Sequence, residues 1–223
     1  MSRSLRQRTR AWGLAALAAL AGMGAAGCLF VHPRQPQPSP GAGEWAEVRS
    51  NATRAKQLYD GLVHRANAIA THLTPRVREV RATRLADWLA WSPAELDARL
   101  ARERAEAALG EEFVVAFYTS DARANDLDAP QSVWRVAVVV DGLNVLASKV
   151  ESIAFDATVR ALFPLVGPFD TVYRVRFPPT PDGPLADRAF VFRLSSPLGT
   201  MDLDFGGPAA LPAGLDTVPP ATR

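Results

Sequence analysis

The chain has 223 residues, 48% of them hydrophobic and 22% charged, a composition typical of a folded globular protein and not of a disordered one. A single Cys excludes an intrachain disulfide and a Cys-based zinc cluster, and three His leave little room for a His-rich metal centre. The first 27 residues hold four of the 25 basic side chains and no acidic one, so 21 basic side chains remain against 23 acidic ones. This balance excludes a basic nucleic-acid-binding domain, and we expect no nucleic-acid partner.

Residues 1–27 have the three parts of a secretory signal peptide. A basic stretch ends at Arg10, an uncharged apolar stretch follows over residues 11–21, and small residues precede Cys28. The ending Ala26-Gly27-Cys28 resembles the lipobox of bacterial lipoprotein precursors, with Ala25 at the position where that motif usually has leucine. The resemblance implies that Cys28 becomes the acylated first residue of the mature protein.

An acylated Cys28 would hold the protein on a membrane. Each buried acyl CH₂ contributes about 0.8 kcal/mol, and stable anchoring needs more than one chain, as a triacylated cysteine provides. We therefore expect a bacterial cell-envelope lipoprotein that faces the periplasm. Leu29 is not the Asp that retains enterobacterial lipoproteins in the inner membrane, which favours the outer membrane.

Two other interpretations of the leader stay open. Residues 11–31 carry no charge and are long enough to remain as an uncleaved membrane anchor. Alternatively, Cys28 follows an ordinary signal peptide that is removed. All three interpretations place the rest of the chain outside the cytoplasm.

The regions that flank the folded body are rich in Pro. Residues 28–43 predict an extended tether of polyproline II type, which would keep a folded domain clear of the lipid. Residues 206–223 contain four Pro and three Gly and predict a disordered tail.

Residues 44–110 predict a helical segment. Its first helix would run from Glu44 to Thr74, because apolar residues recur there at spacings of three and four. This stripe is a possible partner seam, facing either later elements of the chain or an envelope protein partner. The seam consists of Trp45, Val48, Tyr59, Leu62, Ile69 and Leu73, with Ala52, Ala55 and Ala66 between them.

Two further helices follow in this segment. One is predicted over residues 76–90, and the next begins at the capping box Ser92-Pro93-Ala94-Glu95 and ends at Gly110. His64 and His72 would lie about 12 Å apart on the first helix, too far to share a metal, and are interpreted as polar surface residues.

Residues 111–205 predict a β domain of about six strands, because apolar and polar residues alternate between turn signals. Asp141-Gly142 predicts a turn into a strand over residues 145–155. In the last hairpin, Arg193 would face Asp202 across a turn at residues 196–199. The fold class expected is α+β, with N-terminal helices followed by an antiparallel, sandwich-like sheet.

Four Arg side chains alternate with apolar residues on the predicted strands and would point outward. If the strands are neighbours, these residues form an Arg-rich face for an anionic ligand. The alternative is that Asp141, Asp202 and Asp204 pair with them across strands. The four are Arg135, Arg174, Arg176 and Arg193.

No common catalytic signature occurs in the sequence: G-x-S-x-G, Walker A, G-x-G-x-x-G and H-E-x-x-H are all missing. The acidic loop over residues 121–128 favours turn formation over Ca²⁺ binding. We therefore expect a non-enzymatic binding or assembly component without metal or cofactor. The alternatives are an envelope hydrolase that uses Asp126 or Asp128, and a binder of anionic ligands.

Lipidation is tested by metabolic labelling. In a bacterium that expresses the full chain, labelled palmitate should enter the wild-type protein and be lost from Cys28→Ala, because that sulfur is the predicted acylation site. Equal labelling of the two proteins would contradict the prediction.

Overall fold

The computed structural model describes residues 42–180 and 182–206, and its α+β fold confirms the predicted class. The predicted leader and the tether up to residue 41 lie outside this part of the chain, as does the tail beyond Gly206. The helices are α1 (Ala42–Asn51), α2 (Pro75–Leu89), α3 (Pro93–Ala107) and α4 (Ala157–Leu162). The strands are β1 (Thr53–Asp60), β2 (Val63–His72), β3 (Glu111–Thr119), β4 (Arg135–Val140), β5 (Leu143–Leu146), β6 (Lys149–Ile153), β7 (Thr171–Phe177), β8 (Val191–Ser196) and β9 (Gly199–Asp204).

The strands form two antiparallel sheets that enclose the main core. One sheet has the order β1-β2-β3-β7-β6 and the other β5-β4-β8-β9. Their facing side chains are apolar and alternate along each strand, as half-buried strands require. Those buried most completely include Ala66, Ala68, Ala70, Phe113, Val115, Phe117, Val138, Val175, Phe192, Leu194 and Met201.

The two sheets meet along both sides. The predicted strand over residues 145–155 is replaced by β5 and β6, which pair in different sheets: Ala147 N donates to Val136 O at 3.0 Å and Ser148 N to Arg176 O at 2.8 Å. On the other side β1 lies beside β9, where Arg54 Nε donates to Asp204 O at 2.8 Å.

The prediction of one helix from Glu44 to Thr74 is wrong. Helix α1 ends at Asn51, and the rest forms the hairpin β1–β2 with Gly61 at φ 59°, the first position of its two-residue turn. Alanine fits helical and strand spacings alike, so the pattern allowed a helix. In the structure Ala66, Ala68 and Ala70 face the main core and Ile69 faces the helical layer, so both faces of the second half of β2 are buried. Residues 44–110 and 111–205 are therefore not separate segments, since they share a sheet.

The next two predicted helices are confirmed. Ser92 Oγ accepts from Glu95 N at 3.3 Å while Glu95 Oε2 accepts from Ser92 N at 2.7 Å, the reciprocal pair of a capping box. Helix α3 ends at Ala107, before the predicted end at Gly110. Gly110 has φ 140° and lies against the end of β7, where the chain turns into β3.

The two predicted turns are also confirmed. Asp141 and Gly142 have φ values of 48° and 79°, as type I′ hairpins require. In the hairpin β8–β9, Arg193 pairs with Asp202, and its Nε and Nη2 atoms each donate to that carboxylate at 2.7 Å.

Helices cover the outer face of the five-stranded sheet and form a second core. Trp45 of α1 packs edge-on against Phe163 and donates its Nε1 hydrogen to Leu162 O at 3.1 Å. Val77 of α2 and Val114 of β3 belong to the same cluster. The described body thus has three layers: helices, the five-stranded sheet and the four-stranded sheet.

Gly110 offers a test of this packing. A Cβ at Gly110 would lie 2.1 Å from Phe177 O, so Gly110→Ala should lower the free energy of unfolding by about 3 kcal/mol through strain and overlap. Gly43→Ala is the matched control, because nothing lies within 4 Å of its Cβ position. Urea unfolding should give Gly43→Ala a stability within about 1 kcal/mol of wild type. Equal effects of the two substitutions would contradict this packing.

Candidate functional site

The predicted Arg-rich face is not one surface. Arg135 and Arg193 lie on β4 and β8 of the four-stranded sheet, whereas Arg174 and Arg176 lie on β7 of the other sheet. The condition for a shared face, that all these strands are neighbours, is therefore not met. Alternation along strands identified outward positions, but it contains no information about which sheet a strand joins.

Arg174 and Arg176 are partly exposed and lie beside acidic side chains. Arg174 Nε lies 3.1 Å from Glu112 Oε1, and Arg176 Nε lies 3.6 Å from Glu112 Oε2. Arg176 also approaches Glu151 of β6 at 3.5 Å. Of the pairs predicted across strands, Arg193–Asp202 forms, whereas Asp141 pairs with Arg188 instead and Glu112 and Glu151 are the acidic neighbours of Arg174 and Arg176.

Glu112 belongs to a buried network of ion pairs around Arg78, which is 2% exposed. Arg78 Nη2 donates to Glu112 Oε2 and Arg78 Nη1 to Glu103 Oε2, both at 2.9 Å. Arg81 and Arg99 donate to the other oxygen of Glu103 at 2.8 and 2.6 Å. This network joins α2, α3 and β3, so we interpret it as structural.

The possible partner seam divides into buried and exposed residues. Trp45, Ile69 and Leu73 are buried in the described body, and Val48 packs against the second core. Tyr59 and Leu62 are exposed near the β1–β2 turn. The seam is therefore not one continuous surface, because its residues belong to a helix, two strands and a turn.

Three loops meet at the end of the sheets where these two residues lie. Ala66 pairs with Thr119, which brings the β1–β2 turn beside the end of β3. Gly199 of the β8–β9 turn lies against the side chain of Leu58. Arg135 pairs with Ser195, so the β3–β4 loop reaches the same turn.

Large apolar side chains are exposed on these loops, and we call them together the apolar end. Their exposed fractions range from 43% for Leu198 to complete exposure of Leu62. Val133 and Leu198 also line a cleft of about 410 Å³ together with Pro197. The apolar end consists of Tyr59, Leu62, Val63, Val133 and Leu198.

Aromatic stacking and paired charges surround the apolar end. His64 lies between Tyr59 and Tyr118, with ring centroids 5.1 and 5.7 Å apart. Arg65 pairs with Asp60 at 2.7 Å, and Arg123 pairs with Asp121 at 2.9 Å. An apolar centre with a polar rim is typical of protein interfaces.

The predicted seam does not contain Val63, Val133 or Leu198. Leu198 follows Pro197 in a predicted turn. An apolar residue at the tip of a turn indicates an exposed apolar side chain, so the sequence does contain a signal for Leu198. Val133 offers no such signal, since it directly precedes the buried Trp134.

His72 is not the surface residue that was predicted. It stacks on Phe113 with ring centroids 4.5 Å apart, and its Nε2 atom lies 2.8 Å from Glu111 Oε2. Glu111 Oε1 accepts from Leu185 N at 2.8 Å. Burial favours a raised pKa for Glu111, but these hydrogen bonds outweigh it and lower the pKa.

The acidic loop makes local hydrogen bonds of the kind expected for turns. Asp121 Oδ1 accepts from Arg123 N at 3.1 Å, and Asp126 Oδ1 accepts from Ser132 Oγ at 2.9 Å. Asp128 Oδ2 accepts from Ser152 N at 3.3 Å. Within residues 42–180 and 182–206, no three His, Cys, Asp or Glu side chains are grouped so that they could hold a metal ion.

Comparison of the chain with protein-family models, curated proteins and solved structures finds no match. None of the helices in the described part of the chain is long and apolar enough to cross a lipid bilayer. Cys28 lies outside that part, so its acylation stays a prediction.

The pKa of Glu103 links the ion-pair network to acid stability. Burial alone would raise this pKa, but the charge of Arg81 and the hydrogen bonds from Arg78 and Arg81 lower it to about 2 from 4.5. Because the folded-state pKa is depressed, this stabilisation is present above pH 4.5 and is lost as the pH falls toward 2. Its size is about 3 kcal/mol.

Urea unfolding as a function of pH checks this linkage. Wild type should lose stability between pH 5 and pH 2, whereas Glu103→Gln should be less stable at pH 7 and lose less on acidification. Glu106→Gln is the control, because Glu106 is half exposed and lies 3.5 Å from Arg78. Identical acid profiles of wild type and Glu103→Gln would contradict the linkage.

Proposed function

We propose that the protein is a non-enzymatic, lipid-anchored component of the bacterial cell envelope that binds another envelope protein through its apolar end. The observation that carries this proposal is the exposure of five large apolar side chains at one end of the two sheets. Contiguous exposed apolar residues with a polar rim commonly mark interaction sites.

The packing of the body supports the choice of this end. The helices α2 and α3 join the sheet where β2 ends and β3 begins. The apolar end lies at the opposite ends of the same strands, where the described chain has turns, loops and one short 3-10 helix, Ala122–Ala124. Its side chains are therefore available to a partner without rearrangement of either core.

Charge favours a protein partner over a lipid surface. Asp60 and Asp121 flank the apolar end, and both carboxylates are at least half exposed. Because Asp60 is paired with Arg65 and Asp121 with Arg123, these pairs have no net positive charge that would attract the anionic head groups of a bacterial membrane, whereas a polar rim is compatible with a protein interface. Anchoring itself would be provided by Cys28 and the Pro-rich tether.

The hydrolase alternative has less support. Its two candidate residues, Asp126 and Asp128, accept hydrogen bonds from Ser132 and Ser152 that fix the acidic loop. The anionic-ligand alternative loses its original basis, because the four Arg residues divide between two sheets.

Cross-linking in living cells, followed by detergent extraction and quantitative mass spectrometry, tests the proposal. The doubly substituted Leu62→Glu/Leu198→Glu protein should recover about tenfold less of the envelope partner than wild type, because a carboxylate in an apolar interface is costly to desolvate. The matched control is Leu109→Glu, an exposed leucine in the connection between α3 and β3.

The interpretation requires that all variants fold and reach the envelope in equal amounts. Thermal unfolding of the purified proteins checks the first condition, since Leu62 is fully exposed and its substitution should leave stability unchanged. Equal recovery of partners from the double variant and wild type would overturn the proposal.

A further inference from the structure

Each sheet of the described body has two outermost strands, and most of these edges are protected. β1 and β9 lie beside one another, and Arg54 Nε of β1 donates to Asp204 O of β9 at 2.8 Å. β6 is bordered by the β3–β4 loop, where Asp128 Oδ2 accepts from Ser152 N at 3.3 Å, and it begins with the charged Lys149. Covered and charged edges are the usual means by which proteins prevent a sheet from pairing with another chain.

Strand β5 is the outermost strand of the four-stranded sheet and has none of these protections. Its residues, Leu143-Asn144-Val145-Leu146, include no charged side chain and no Pro. Both leucines are half exposed, and Asn144 is exposed as well. An exposed apolar edge without Lys or Pro is a template for pairing with another strand.

The main chain of β5 presents hydrogen-bonding groups on its open side. Hydrogen-bonded pairs alternate along an antiparallel ladder, and Ala147 N donates to Val136 O at 3.0 Å. By this alternation the N–H and C=O groups of Val145 point toward β4. Those of Asn144 and Leu146 therefore point away from the sheet, toward a strand that would lie beside β5.

These groups are complementary to those of a second β5 strand. When two copies meet across a twofold axis at Val145, Asn144 of each copy lies opposite Leu146 of the other, and each such pair exchanges two N–H···O=C hydrogen bonds. Val145 packs against the main core, so Leu146 projects from the outer face. It then lies diagonal to Leu146 of the second copy, about 7–8 Å away, within reach of long apolar side chains.

The charges beside β5 also suit a second copy. Asp141 precedes the strand and Lys149 follows it, and both side chains are more than half exposed. An antiparallel arrangement brings the Asp141 end of one copy to the Lys149 end of the other, and not like ends together. Asp141 pairs with Arg188 and Lys149 with Glu151, so neither end carries a net charge that would repel a second copy.

We propose that two copies of this chain associate through β5, which joins their four-stranded sheets into one continuous antiparallel sheet. The contact is isologous, because the same strand supplies both sides of it. It uses none of the residues of the apolar end. The proposal therefore goes beyond the proposed function and does not depend on it.

Co-purification of two tagged copies tests the proposal. The full chain is expressed in one bacterium with two different C-terminal tags, the cells are extracted with a mild detergent, and one tag is captured while the other is quantified. Wild-type copies should be recovered together. Failure of wild-type copies to co-purify would overturn the proposal, including the case in which a different protein is captured in place of the second copy.

Asn144→Pro and Asn144→Ala are the matched variants. Proline removes the outward N–H group at this position, which an edge strand tolerates because that group makes no bond within the sheet, whereas alanine keeps it. Asn144→Pro should lower the recovery of the second copy about tenfold, and Asn144→Ala should leave it unchanged. Thermal unfolding of the purified proteins checks that both variants fold. Equal recovery with the two variants would contradict the assignment to β5.

A charged variant makes the test independent of proline. Leu146→Lys places two like charges diagonal to each other across the twofold axis and should also lower the recovery of the second copy about tenfold. Thr200→Lys is the control, because Thr200 is an exposed residue of β9 at the opposite edge of the same sheet. Unchanged recovery with Leu146→Lys, or an equal loss with Thr200→Lys, would contradict the assignment.

The Leu62→Glu/Leu198→Glu protein separates this contact from the one at the apolar end. It should recover the second copy like wild type even where it loses the envelope partner, so the two proposals can fail separately. Loss of the second copy from this variant, together with its retention by Asn144→Pro, would show that the copies meet at the apolar end and would overturn the assignment to β5.

Discussion

The contact of Arg78 with two buried carboxylates is the interaction on which the helical layer depends. Helices α2 and α3 are rich in charged residues, and α3 buries only Glu103 among its side chains. Arg78 lies on α2 and reaches Glu103 of α3 and Glu112 of β3. Loss of one partner would leave a buried charge uncompensated, at a cost of about 3–5 kcal/mol. Helix α3 is thus held in place mainly by charge pairing, whereas α2 also buries apolar side chains such as Val77 and Val80.

This arrangement places the ion-pair network and the apolar end at opposite ends of the strands. The ion-pair network lies beside the beginning of β3. Trp45 packs under α4 and covers the outer face of the same sheet. At the other end lie the two-residue turns of β1–β2 and β8–β9 and the longer β3–β4 loop, all with exposed apolar residues. A partner can bind these loops without contact with the ion pairs. Stability and binding therefore depend on different residues.

The strands and capped helices could be predicted because their signals are local. Three such signals depend only on residues close in the sequence: the alternation around Phe113, the turn at Asp141 and the capping box at Ser92. The structure contains the corresponding strand, turn and helix start. The first helix was predicted wrongly because alanine satisfies helical and strand periods alike, and only pairing of β2 with β3 decides between them.

The candidate sites depend on contacts that are distant in the chain. Arg78 and Glu112 are 34 residues apart, so sequence spacing does not reveal their pairing. The apolar end likewise combines the β1–β2 turn with Leu198 of the β8–β9 turn. Tyr59 and Leu62 belong to the predicted partner seam. They lie in the β1–β2 hairpin, however, and not on the helix from which the seam was predicted.

The proposed partner contact is tested most directly by placing a photoreactive amino acid at single positions in the full chain and irradiating living cells. The account predicts that Leu62 and Leu198 give the same cross-linked envelope protein, whereas Leu109, which is more exposed than Leu198 but lies between α3 and β3, gives none. Cross-links to that protein from Leu109 with the same yield, or different products from Leu62 and Leu198, would contradict it.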